Sequence, residues 1–282
     1  MLYMLLSSLA FAGLDFIRKL LAGRIDALAL VFFMSLGAVP FLSALLALHG
    51  LEAPSAGYVL PGLGALTLNF LGSLGFVHSV KLSPLSRTIP LLSLTPVFTA
   101  LTAVPLLGEL PEPAQAAGIL LVAAGAMALN SGGSLGGAVR GLLREKGALI
   151  MASVALMWAV SGPLDKLAIE HASVYFHATT MAFGVGIGAL AALAWQGRLS
   201  ALRCARGDAR LLLMTMICIT VALTFQLLAI RVVLVSLVEA FKRAVGSLMA
   251  VVLGRVVFRE KVGLREWISV AVMVGGVFLI LG

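Results

Sequence analysis

Between Ser236 and Ala250 the sequence reads SLVEAFKRAVGSLMA, an apolar stretch interrupted by Glu239, Lys242 and Arg243. Glu239 precedes Lys242 by three residues and Arg243 by four, so in a helix the three side chains share a face and the acid can pair with a base. The set sums to one positive charge. Arg243 contributes a planar fork of donors suited to a carboxylate or phosphate, and Lys242 a point charge. The chemistry on offer is recognition of an anionic or zwitterionic group, with Glu239 as counter-ion and proton carrier.

Depth gives the set its importance. Lys242 follows Arg231 by eleven residues and Arg243 precedes Arg255 by twelve, about 16 Å and about 18 Å of continuous helix. At mid-bilayer each basic side chain costs about 2.5–3.5 kcal/mol on insertion scales, and a snorkelling stem recovers only a few ångströms of depth. The three residues are therefore expected to face a wet, protein-lined cavity as a substrate or coupling site. The competing reading is an ion-pair network that only fixes helix packing. Asn69, Thr224 and Gln226 either line a polar pathway or make packing hydrogen bonds. Asp15 with Arg18 and Lys19, and Asp165 beside Lys166, lie near helix ends and read as interfacial ion pairs. His78 and His171 lie near membrane boundaries, whereas His177 is a candidate proton relay.

The elements that must position these residues are apolar helices. Hydrophobic residues make up 61% of the 282, only 11% are charged and the mean hydropathy is +1.11, which indicates an integral membrane protein. Ten stretches approach the length needed to cross about 30 Å of hydrocarbon. They lie near 1–17, 27–48, 59–77, 88–107, 114–129, 148–164, 174–195, 211–230, 232–258 and 267–281. The expected fold is all-α, with ten transmembrane helices.

The two halves repeat. Glu109 aligns with Glu260, Gly118 with Ser269 and Gly125 with Gly276 at an offset of 151, while Phe11 with Trp158, Lys19 with Lys166 and Leu20 with Leu167 share an offset of 147. Residues 1–130 and 147–282 form the two repeats, joined by a Gly/Ser-rich linker over 131–146. Five spans per repeat is an odd number, so the copies must enter the membrane from opposite faces, the inverted arrangement typical of secondary transporters. Sixteen Lys and Arg residues fall in the alternate loops of one face, against Lys166 and Arg231 on the other. The positive-inside rule then puts both termini on the non-cytoplasmic side of a cell membrane.

The same pattern excludes other classes. A net charge of +8 and the arginines of 198–210 could suggest nucleic acid, but they lie between apolar spans without interleaved aromatics, where topology and anionic lipid headgroups account for them. The first stretch has no basic leader or cleavage-like site and reads as a span. Cys204 and Cys218 make no CxxC, and no disulfide, metal site or cofactor is expected. A membrane enzyme of polyprenyl phosphates needs clustered carboxylates for Mg²⁺, whereas the 12 acidic residues form no Asp-rich motif. Gly184 and Gly188 form a GxxxG, and Gly118 to Gly125 a heptad of small residues, both read as close helix packing.

The string Leu94 to Asn130, LTPVFTALTAVPLLGELPEPAQAAGILLVAAGAMALN, resembles the end of the repeat in EamA-type members of the drug/metabolite transporter superfamily. Ser247 to Gly282 resembles its second copy, and Lys19 and Lys166 match the lysine such repeats often carry at the end of their first helix. The resemblance implies ten helices, alternating access and movement of a small metabolite or drug, with a flippase for lipid-linked sugars as the neighbouring alternative. Lys242 and Arg243 also resemble the adjacent pair that binds phosphate in plastid sugar-phosphate translocators. Those carry a further basic residue four positions before a proline of the fourth helix, where Leu92 stands here before Pro96. At the offset of 151, Glu239, Lys242 and Arg243 correspond to Thr88, Leu91 and Leu92, so the repeats differ where the charge sits. The expected site is Lys242, Arg243 and Glu239, with Asn69 and Gln226 along the pathway and a small molecule and the lipid bilayer as partners.

Overall fold

The structure is a computed structural model that describes residues 1–21, 24–82, 91–130, 146–257, 259 and 263–282. Ten α-helices account for most of the described residues. They are α1 (Leu2–Leu21), α2 (Ala27–His49), α3 (Val59–Leu82), α4 (Thr95–Leu107), α5 (Pro113–Asn130), α6 (Lys146–His171), α7 (Val174–Trp195), α8 (Ala209–Val232), α9 (Val235–Val256) and α10 (Leu264–Leu281). A 3-10 turn, Ala56–Tyr58, leads into α3, and another, Leu199–Asp208, joins α7 to α8. Six of these helices, α2, α3, α6, α7, α8 and α10, are long and apolar enough to cross a membrane. The remaining four are shorter, as α4 and α5 are, or carry charge, as α1 and α9 do.

Each apolar stretch of the sequence forms a helix, with one informative difference. The stretch over 232–258 is not a continuous helix from Val232: α8 runs through that residue, Leu234 is extended (φ −58, ψ 134) and α9 begins at Val235. Arg231 therefore belongs to the preceding helix, and depth is measured along α9 alone. Lys242 lies about 10 Å from the α9 N-terminus and about 21 Å from its C-terminus. Nothing in the apolar run marks this break, and the residue that caps it is distant in sequence: the Glu109 Oε2 accepts the Val235 N–H at 2.9 Å. A carboxylate there satisfies one orphan donor of the first turn and complements the helix dipole. The start of the fourth stretch at Thr88 with Pro90, the linker residues 131–145, and Glu260 lie outside the described residues.

The helices gather into two compact units, each drawing on both sequence halves: residues 1–70 with 164–231, and residues 71–163 with 232–282. In the first, glycines let helices approach. A Cβ on Gly186 of α7 would stand 2.9 Å from the Leu36 backbone nitrogen of α2, and Gly184 and Gly188 receive Leu66 and Phe70 of α3. This is the close packing expected of the GxxxG. At one end Asp26 caps α2, accepting the Leu28 and Ala29 amides, and also takes Arg198, while Arg24 pairs with Asp208 at 3.1 Å. At the other end the Ser55 amide donates to the His171 carbonyl at 2.9 Å.

In the second unit α5 and α10 cross antiparallel with backbone contact. A Cβ on Gly118 would sit 2.6 Å from the Gly276 carbonyl, and one on Gly125 2.9 Å from the Ser269 carbonyl. Ile119, Val122 and Ala126 of α5 pack with Val270 and Met273 of α10 and with Leu237, Ala240 and Ala244 of α9. Arg265 donates to the Ala128 carbonyl where α10 starts and α5 ends. The Ser79 hydroxyl donates to the Gly147 carbonyl at 2.7 Å, joining the end of α3 to the start of α6.

Candidate functional site

The charge set lies in the first half of α9. Glu239 is 7% exposed, and its Oε1 accepts from Lys242 Nζ at 2.5 Å. The Lys242 side chain is 21% exposed, so the base, not the acid, reaches open space. Arg243 follows, half-buried, between buried Phe241 and Ala244. The helix forms here because the charged segment, Glu239 to Ala244, is rich in good helix formers and holds neither glycine nor proline. The charges cannot be hidden by register, since residues three and four apart occupy one stripe.

That stripe is longer than the charges. Ser236 precedes Glu239 by three residues and Arg243 by seven, and its buried hydroxyl has no hydrogen-bond partner among the described residues. Ser93, two residues before α4, and Thr95, its first residue, lie in the same unit, are 1% and 2% exposed, and their hydroxyls also lack a partner among the described residues. Helices α4 and α9 share a core, in which Val97 and Ala100 meet Leu237, Ala240 and Ala244. A buried hydroxyl left unpaired costs about 1–3 kcal/mol, so such groups are candidates for hydrogen bonds to water or solute. The sequence reading passed over them because serine and threonine carry no charge to stand out in an apolar run. The one signal was spacing, which puts Ser236 on the face of Glu239 and Arg243.

The structure brings Glu239 and Lys242 into contact, with Arg243 one residue along. Asn69 and Gln226 belong to the other compact unit. Asn69 Nδ2 donates to the Ala65 carbonyl one turn back at 3.0 Å, and on α8 the buried Thr224 hydroxyl has no hydrogen-bond partner. Asp15 pairs with Arg18 at 3.0 Å on an exposed surface, as its position near a helix end suggested. Asp165 is buried and its Oδ1 meets His177 Nε2 at 3.0 Å, while His177 Nδ1 meets the Tyr58 hydroxyl at 3.0 Å. Among the described residues no three His, Cys, Asp or Glu side chains are grouped to hold a metal ion.

A set of apolar helices, one of them carrying charge in its first half, defines a multi-pass membrane protein. Residues 1–131 and 145–282 both match the EamA-like transporter family, and the chain belongs to that family, whose members are transporters rather than enzymes. No protein of curated function matches the sequence. Among solved structures, one described as "Crystal structure of protein" is similar with a TM-score of 0.77 and 20% identity, over 99% of this chain and 96% of that one. At that identity the likeness is one of fold.

Proposed function

We propose that the protein is a secondary transporter that moves a small anionic or zwitterionic metabolite across the cell membrane by alternating access. The observation that carries this reading is the buried Glu239–Lys242 pair with Arg243 beside it in the first half of α9. In this reading Lys242 and Arg243 hold the solute's anionic group. Glu239 lowers the cost of keeping two cations in a low-dielectric region and exchanges a proton when solute leaves. Ser93, Thr95 and Ser236 supply hydrogen bonds to its polar body, and Asn69 and Gln226 are polar positions along the route in their own unit. The repeats 1–130 and 147–282 are proposed as the inverted halves. The antiparallel α5–α10 crossing supports this, because Gly118 and Gly125 meet the positions equivalent to each other.

The test has two stages. Purified protein is screened by thermal shift against amino acids, organic acids and phosphorylated metabolites, since a ligand of the folded state raises apparent stability. Flux of the hit is then measured in proteoliposomes. Arg243→Ala and Lys242→Ala are expected to reduce it at least about tenfold, the weight of a charge-assisted hydrogen bond. Unchanged flux in both variants would overturn the assignment.

A further inference from the structure

The first unit contains a second buried polar assembly, unused by the charge set of α9. It is a hydrogen-bonded chain in which Asp165 of α6 meets His177 of α7 at 3.0 Å and His177 meets the Tyr58 hydroxyl at 3.0 Å. His177 is 0% exposed. Local sequence places it there: Ser173 caps α7 by accepting the Phe176 amide, which sets His177 in the first turn and aims it at the last turns of α6.

The partners decide what such a histidine can do. The carboxylate oxygen at Nε2 only accepts, so it fixes a hydrogen on Nε2. The phenol at Nδ1 both donates and accepts. With a neutral ring, Tyr58 donates its hydrogen to Nδ1. When a proton is added, Nδ1–H donates to the Tyr58 oxygen and the tyrosine hydrogen turns away from the ring. Neither state leaves a ring nitrogen unpaired. With Asp165 ionised, the formal charge of the Asp–His pair changes from minus one to zero.

We propose that Asp165, His177 and Tyr58 form a proton-binding site that takes one proton at His177 Nδ1 and links its occupancy to the packing of α6, α7 and the turn before α3. The proton comes from water by way of the Asp165 edge, whose side chain is 12% exposed, and no bond between heavy atoms changes. The other ionisable groups on the surrounding elements are Lys166, Glu170 and His171 on α6, Tyr175 on α7, Glu52 before the 3-10 turn and His49 on α2. Of these His171 Nδ1 is engaged by the Ser55 hydroxyl at 3.1 Å, and His49 stacks on Tyr175 with ring centroids 4.0 Å apart. The packing alternative is a fixed staple, whose ring would hold one protonation state throughout.

The chain has only four histidines, which makes a direct test practical. The full-length protein is labelled with ¹⁵N in its imidazole rings, placed in lipid nanodiscs and followed by NMR from about pH 5 to about pH 9, with no solute present. His49→Gln, His78→Gln and His171→Gln assign the fourth signal by elimination, so His177 itself need not be altered. Nδ1 of His177 is expected to pass between its acceptor and N–H forms within the scan, and Tyr58→Phe is expected to move that profile. A ring held in one state across the range, or a profile unmoved by Tyr58→Phe, would overturn the proposal. Because no solute is used, the outcome is independent of whether Lys242 and Arg243 bind one.

Discussion

At the scale of single residues, the hydroxyls and the charges of α9 make opposite predictions for stability and binding. Ser236→Ala removes a buried oxygen that has no hydrogen-bond partner, so thermal stability in detergent should be unchanged or slightly raised, while affinity for the solute falls. A fall in stability with no change in affinity would mark the serine as structural. For the charged pair, a double-mutant cycle of Glu239→Gln and Lys242→Met should give a coupling of about 1–2 kcal/mol by detergent unfolding, at the modest end because Lys242 is partly exposed. A coupling near zero would contradict a functional ion pair at the observed 2.5 Å. The charge set was legible in the sequence because charge inside an apolar run has few explanations. The Asp165–His177–Tyr58 chain was not. Its members lie 12 and 119 residues apart, and spacing along the sequence does not mark contacts at that distance.

At the scale of helices, contact between backbones sets the rules. Gly276→Ala would press a methyl to 2.7 Å from the Gly118 carbonyl, and since that atom is backbone the crossing must open, at a cost of about 1–3 kcal/mol. Its neighbour Gly275 has nothing within 4 Å, so Gly275→Ala should be neutral or stabilise by up to about 1 kcal/mol. Equal effects at the two positions by detergent unfolding would refute the crossing. Glu109→Ala should cost about 1 kcal/mol by removing the cap of α9, whereas Glu109→Gln keeps an acceptor and loses less. Hydropathy made ten helices readable, but not where α8 yields to α9. Apolar residues run through that turn, and the signal for it stands 126 positions away.

At the scale of the whole molecule, the topology reading gains a specific test. In a background without Cys204 and Cys218, cysteines at Arg24 and Arg198 should resist a membrane-impermeant maleimide in intact cells, and one placed at Gly282 should react. The reverse pattern would invert the orientation. The proposed repeat shows in the sequence because packing glycines and turn residues keep their spacing across 151 positions. The division into two units that each mix both halves does not, since sequence order carries no record of which helices meet in space. One feature of that arrangement reaches into history. In the α5–α10 crossing, Gly118 meets Gly276 and Gly125 meets Ser269, and each pair exchanges its members under the repeat. A surface that complements itself about such a local two-fold works equally well between two halves of one chain or two copies of one half. If the two halves are the proposed repeats, two separate copies of one half would meet at this seam without any new surface.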